Sequence, residues 1–497
     1  MKLSLSKKEI SLFQLVSKTI FTNPFSEERN IADAALAGCL TNEHNPAKLL
    51  QLATDRVAKK IHHMEKENKS SLHSYTGEDR RLLGNVYLFH IFHRHVKSFD
   101  SHIEQQLQQG NTPTRFAAGN TIVTELLECG FSGAEAQQYL AVFFQMRRAF
   151  YFIRNSLLGI SPCMTGLRES LWNNIFTRNI GIYVDSLMGR MEDFSTLLLG
   201  ETGTGKGAAA FAVGCSGFIP YDNKKQRFCE SFTKAFLSIN LSQFSEQLIE
   251  SELFGHARGS FTGAVKEHSG VFYRSSQYGA VFLDEIGEIS IPIQIKLLKI
   301  LQERTFSQVG SDTEQRFSGR VIAATNQSLT KLRHQSKFRD DFYYRLCSDT
   351  IVIPPLRQRI KENPEEIKLL TGHLLERITG KSSASLLSSV LKAIRTSLPR
   401  HYSWHGNVRE LEQCIRQILI KGTYAPIQLE QGPSPKAGQL GQLLENGSMD
   451  MSELTRRYCT LLYEKLGTYQ EVARRTGLDR RTVKKYINEI VEDDEAG

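Results

Sequence analysis

The stretch Gly200-Glu201-Thr202-Gly203-Thr204-Gly205-Lys206 joins a chain able to curl tightly to a single cation. Glycines let successive backbone N–H groups turn toward anionic oxygens, and Lys206 adds a point charge; that is the chemistry of holding a polyphosphate. Further on, Val281-Phe282-Leu283-Asp284-Glu285 ends an apolar run in two adjacent carboxylates. Asp284 suits Mg2+, directly or through water, and Glu285 suits the deprotonation of an attacking water. Such a pair says little alone, but after this loop it points to ATP hydrolysis. Between them lies Glu252–Ala264, punctuated by glycine and carrying one aromatic, Phe261, between Gly259 and Gly263. An aromatic at an exposed tip anchors another protein. The plainer reading tucks the ring into its own subunit.

These residues need a sheet edge to meet. Phe194–Leu199, Ala235–Asn240, Ala280–Leu283, Arg320–Ala324 and Thr350–Ile353 read as short buried strands separated by helical stretches. That alternation predicts a parallel sheet with helices on both faces. Helix-opening phosphate loops and strand-ending carboxylates belong at the carboxyl edge of such a sheet. Residues 357–425 return to helical spacing, and Gln431–Ser448, rich in Gly, Pro, Ser and Gln, reads as a linker.

Near the end, Tyr469–Ile487 predicts helix, turn, helix, with Gly477 in the turn and Asp479 capping the second helix. Six Lys or Arg fall between 474 and 485 against one acid, Asp479. Arg480, Arg481, Thr482, Lys484 and Lys485 are therefore candidates to enter a DNA major groove. A solvated basic hairpin is the alternative. The net charge of +9 permits a polyanionic partner.

In this order the motifs resemble the AAA+ activators of sigma-54 RNA polymerase, whose partner-gripping loop is written GAFTGA. Here it reads Gly259-Ser260-Phe261-Thr262-Gly263-Ala264. The resemblance covers roughly 160–490. It implies an α/β AAA+ P-loop core with a helical lid, and a Fis-type helix-turn-helix that binds upstream double-stranded DNA as a dimer. It assigns sigma-54 contact to 259–264 and the nucleotide to 200–207. Asn326 becomes the γ-phosphate sensor and Arg409 the lid sensor. Asn240 becomes a switch that can hold the catalytic Glu285 inactive. Arg339 and Arg345 become residues offered to a neighbouring subunit's ATP, so that a homo-oligomer, a hexameric ring, is implied. One position departs: the usual loop has Ser or Thr after its lysine, these activators typically Glu, and this chain has Gly207. Magnesium is then left with phosphates, water and Asp284. That departure keeps open a second function, a non-enzymatic DNA-binding regulator that uses ATP only for assembly.

The domain boundaries expected are 1–160, mostly helical and regulatory; 161–356, the ATPase core; 357–430, the lid; 431–449, the linker; and 450–497, the DNA reader. Apolar residues recur at helical spacing in Leu36–Leu50, Leu82–Phe99 and Glu125–Leu158. The N-terminal block lacks the clustered acids and lysine of a phosphorylated receiver and is expected to take its signal from a small molecule or a protein. Its His90 and His93 share a helix face, as two metal ligands or as ordinary amphipathic-helix residues. The eight cysteines are scattered without a C-x-x-C pair, no run of eighteen apolar residues occurs, and the start lacks a signal peptide's apolar core. A cytoplasmic protein with reduced thiols and no membrane contact is expected.

Overall fold

A computed structural model describes residues 2–39, 45–260, 264–399, 402–425 and 450–495, with the side chains of 464–465 and 488–495 excepted. The expected linker at 431–449 and the loop tip Phe261, Thr262 and Gly263 lie outside the described residues. The chain gathers into two compact units, 1–424 and 425–497.

At the heart of the first unit is a five-stranded sheet. Its strands are β1 (Thr196–Leu199), β4 (Phe236–Asn240), β5 (Ala280–Asp284), β8 (Arg320–Thr325) and β9 (Asp349–Val352). All neighbours are parallel, in the order β4-β5-β8-β1-β9. These are the five strands expected, shifted by no more than two residues at either end. Two small antiparallel hairpins were not expected: β2 (Tyr221–Asp222) with β3 (Arg227–Phe228), and β6 (Thr305–Ser307) with β7 (Glu314–Arg316). After the sheet in sequence, Leu374, Val390, Trp404, Leu411 and Ile415 close the core of the helical lid.

Residues before the sheet are helical: α1 (Lys7–Phe21), α2 (Glu27–Ala37), α3 (Pro46–Lys66), α4 (Gly77–Arg94), α5 (Val96–Gln109), α6 (Gly119–Cys129), α7 (Gly133–Ser156) and α8 (Pro162–Phe176). Each of the three continuous helical stretches expected here is broken. Gly38 turns left-handed at φ 76° and closes α2, His95 separates α4 from α5, and Gly130 at φ 103° separates α6 from α7. Ser132 and Glu135 then form a capping box that restarts the chain as α7. Periodicity tracks the buried face and is blind to a one-residue turn that preserves it.

The hairpin β2–β3 lies against this helical block. Phe228 stacks on Phe144 of α7 with centroids 3.9 Å apart, and Phe116 N donates to Gln226 O at 2.9 Å. One continuous apolar core therefore runs from Phe13 and Phe99 through Phe144 to Phe232, Ala209 and Leu198.

Candidate functional site

β1 lies between β8 and the edge strand β9, and its carboxyl end is on the side of a parallel sheet where ligands bind. The loop that follows turns at Gly203 (φ 79°) and Gly205 (φ 106°), both left-handed. At Gly203 a Cβ would stand 2.3 Å from Gly406 O, so only glycine fits. The helix Lys206–Gly214 then starts. Lys206 is buried and its Nζ donates to Gly200 O at 2.8 Å. Burial lowers its pKa, against the pull of Glu285 and Asp284. Thr204 Oγ1 ties the loop to Glu201 O at 2.8 Å. Gly207 is exposed, with nothing within 4 Å of a Cβ built on it.

The carboxylates arrive on β5. Asp284 stands beside Asn240, its register partner on β4. Glu285 follows in the left-handed region at φ 57°, and its Oε2 accepts from Asn326 N at 3.4 Å. Asn326, just past β8, donates from Nδ2 to Thr202 Oγ1 at 2.9 Å. Thus the loop, Asn326 and Glu285 form one connected chain. Asn240 is placed next to that chain, but its Oδ1 accepts from Ser242 N and Oγ at 3.0 and 2.8 Å, and not from any group of Glu285.

The lid grips the loop as well, through three residues that sequence reasoning did not single out. Asn407, fully buried and left-handed at φ 54°, donates from Nδ2 to Thr202 O at 3.0 Å and accepts from Leu356 N at 2.8 Å. Val408 N donates to Gly203 O at 3.1 Å. Arg357 pairs in bidentate fashion with Glu201, one bond being 2.7 Å, and those bonds hold the Glu201 carboxyl below its usual range. Arg409, one turn from Asn407's cap, comes against Gly203. The cleft between loop and lid holds about 570 Å3 and is lined by Glu201, Thr202, Asn326, Arg357, Ser403 and His405. A polyphosphate and a lone divalent cation fit these donors: loop N–H groups, Lys206 and Arg409 for the one, Asp284 for the other.

Arg339 caps the helix Asp340–Leu346 and Arg345 lies in its last turn; neither makes a hydrogen bond to the phosphate loop among the described residues. Arg339 is half-buried, paired with Asp341 at 2.6 Å. Arg345 is half-buried and donates to Leu301 O at 2.9 Å.

From Asn240 the chain passes through the helix Glu246–Phe254 to Gly255, the root of the glycine-punctuated loop. His256 and His268 exchange backbone bonds of 3.0 Å across that root. Gly255 N and Gly270 approach so closely that a Cβ on Gly270 would stand 2.3 Å away. Gly259 N donates to Ala264 O at 2.8 Å and narrows the loop below its tip. The segment beginning at Val309 lies beside this loop: Ala257 N donates to Val309 O, and Gly310 packs against Ser260.

In the second unit, helices Met451–Leu466, Tyr469–Thr476 and Arg480–Glu495 enclose Cys459, Leu462, Val472, Val483 and Ile487. Gly477 takes φ 71°, and Asp479 Oδ1 accepts from Arg481 N at 2.8 Å, as a turn and a cap require. Arg480, Arg481, Lys484 and Lys485 are exposed on the last helix, with Thr482 half-buried beside them. His90 and His93 are not brought together as ligands. His90 Nε2 lies 2.7 Å from Arg94, His93 packs on Phe89 and Phe92, and no metal-holding cluster occurs among the described residues. No described helix is long and apolar enough to cross a membrane.

Residues 185–352 match the sigma-54 interaction domain, and residues 361–435 match the AAA+ ATPase lid domain. The Nif-specific regulatory protein of Azotobacter vinelandii is 42% identical over 278 residues, 55% of this chain and 46% of that protein. The transcriptional regulatory protein ZraR of Escherichia coli (strain K12) is 35% identical over 297 residues, 58% of this chain and 62% of its own. The Nif-specific regulatory protein of Klebsiella pneumoniae is 37% identical over 298 residues, 59% of this chain and 53% of its own. The chain spans about half the length of the curated relatives it matches.

Proposed function

We propose that this chain, whose residues 185–352 match the sigma-54 interaction domain and 361–435 the AAA+ ATPase lid domain, is an AAA+ activator of sigma-54 RNA polymerase that binds upstream DNA and uses ATP hydrolysis to open promoter DNA in the closed sigma-54 polymerase complex. The observation that carries the reading is the continuity from nucleotide to loop. Thr202, Asn326 and Glu285 are joined by hydrogen bonds; Asn240 lies in register with Asp284; and the chain from Asn240 leads through one short helix to the closed root of the Phe261 loop.

Lys206, the loop N–H groups and Arg409 hold the phosphates. Glu285 orients and deprotonates the attacking water. Asp284 is the protein's ligand for Mg2+, which when bound neutralises phosphate charge. Asn326 senses the γ-phosphate and, because it also bonds Glu285, passes its loss to the carboxylate. Asn240 trades its turn-capping bond for one to Glu285 in the inactive state. Arg339, whose side chain pairs among the described residues with Asp341 alone, a surface ion pair of little strength, turns at small cost to reach a neighbouring subunit's ATP. Arg345 acts beside it, so that turnover needs a ring. Helix 480–495 enters the major groove through Arg480, Arg481, Thr482, Lys484 and Lys485.

The test is Phe261→Ala and Thr262→Ala in the full chain. ATPase activity is expected to persist while open-complex formation is lost. Retention of promoter opening by both variants takes the loop out of the mechanism. The second reading, a DNA-binding regulator that needs ATP only to assemble, rests on Gly207 and predicts no magnesium-dependent turnover at all.

A further inference from the structure

The helix Lys206–Gly214 carries the phosphate loop at its start, and its far end is held by the N-terminal helices. Three successive carbonyls beyond it are all taken by α7. Arg148 donates to Cys215 O and to Gly217 O, each at 2.7 Å, and Gln145 Nε2 donates to Ser216 O at 3.0 Å. Gln145 in turn accepts from Tyr183 Oη at 2.9 Å. Arg148 is fully buried between Phe144 and Phe232. Burial draws its pKa down to about 10, so it keeps its charge at neutral pH and complements the negative end of the helix.

A cavity of about 540 Å3 opens beside this clamp, lined by Gln145, Tyr183, Ser216, Ala280, Arg316 and Arg320 among others. Its size falls in the range of small-molecule sites, roughly 300–1,000 Å3. Ala280 and Arg320 begin β5 and β8, so the cavity sits at the sheet edge opposite Asp284. Two arginines set its chemistry. Arg320, 9% exposed, spends Nε on Phe194 O and Nη2 on Asn174 and Thr196; Nη1 has no acceptor among the described residues. Arg316 is exposed and forms no ion pair among the described residues. Glu192 is the one carboxylate on the described wall, and Ile175, Val213 and Phe218 supply apolar surface.

We propose that this seam is an effector site for a small organic anion, with its carboxylate, sulfonate or phosphate head on Arg320 and Arg316 and its apolar body against Ile175, Val213 and Phe218. A bound anion touches the residues that clamp the phosphate-loop helix, so its binding energy acts on the ATPase directly. That regulatory consequence rests on the ATPase reading above; the binding itself does not.

The full chain is titrated with 1-anilinonaphthalene-8-sulfonate and with N-phenyl-1-naphthylamine, its uncharged counterpart, following fluorescence. A single site per chain is expected, about tenfold or more tighter for the sulfonate. Arg316→Ala, an exposed change, is expected to remove that preference and leave the neutral probe unaffected. Ser318→Trp, which fills the cavity wall, is expected to block both. Equal affinity for the two probes, or a sulfonate affinity untouched by Arg316→Ala, overturns the proposal. ATP turnover is followed in the same samples. Turnover without the charge-dependent binding sinks only the effector site, and binding without turnover sinks only the ATPase reading.

Discussion

Gly207 occupies a position where a hydroxyl or carboxylate would ordinarily face the metal, yet the space for such a side chain is open. Gly207→Thr therefore introduces an oxygen without displacing neighbours and removes a helix-weakening glycine, worth about 0.5 kcal/mol. The Mg2+ concentration for half-maximal ATP turnover is expected to fall; an unchanged magnesium dependence would show that position 207 lies off the metal's path. Asn407 is the other residue whose role is set by geometry. Its amide serves Thr202 O and Leu356 N inside a buried left-handed turn. Asn407→Gly keeps the backbone conformation but orphans both groups, at roughly 1–3 kcal/mol each. The melting temperature and ATP affinity are expected to fall together. A variant that melts earlier but binds ATP as tightly as the parent would mean the latch stabilises the lid without shaping the loop.

At the scale of elements, α7 and the helix Lys206–Gly214 behave as one body. Arg148→Leu leaves Cys215 O and Gly217 O without their side-chain donors. Each orphaned carbonyl costs on the order of 1–3 kcal/mol, so thermal unfolding of the full chain is expected to shift down by several degrees. An unshifted transition would show that the seam is wet and the clamp idle. Nothing in the sequence announced this contact, because Arg148 and Cys215 are joined only by the fold. What was legible is local. The phosphate loop, the Asp284-Glu285 pair and Asn326 each sit at the end of a continuous apolar strand, and a strand buried on both faces is the easiest kind to read. The hairpin Tyr221–Phe228 was illegible because its strands are two residues long and show no alternation. The Glu201–Arg357 pair and the Asn407 latch were illegible for the same reason as the clamp: both link the loop to residues more than a hundred positions away. The glycines of Glu252–Ala264 were legible as a loop, but the part of Gly270 in closing its root was not, and Phe261 lies outside the described residues.

Over the whole molecule the account is a transmission. The helical block holds the rear of the phosphate-loop helix, the phosphate loop forms its front, the Phe261 loop follows the helix Glu246–Phe254 that leads on from the strand beside Asp284, and a basic helix-turn-helix follows in a separate compact unit. The full chain is thus the natural object to assay, since residues 1–160 share a core with the ATPase and their removal would bare Phe228 and Phe232. The most direct measurement mixes the full chain with closed sigma-54 polymerase–promoter complexes and counts heparin-resistant open complexes with ATP, without ATP, and with Glu285→Gln in place of the parent. The account predicts open complexes only with the parent and ATP, while Glu285→Gln still binds ATP but loses turnover by about 10²–10⁴. Opening without ATP, equal opening by Glu285→Gln, or ATP turnover by the parent with no opening would contradict it.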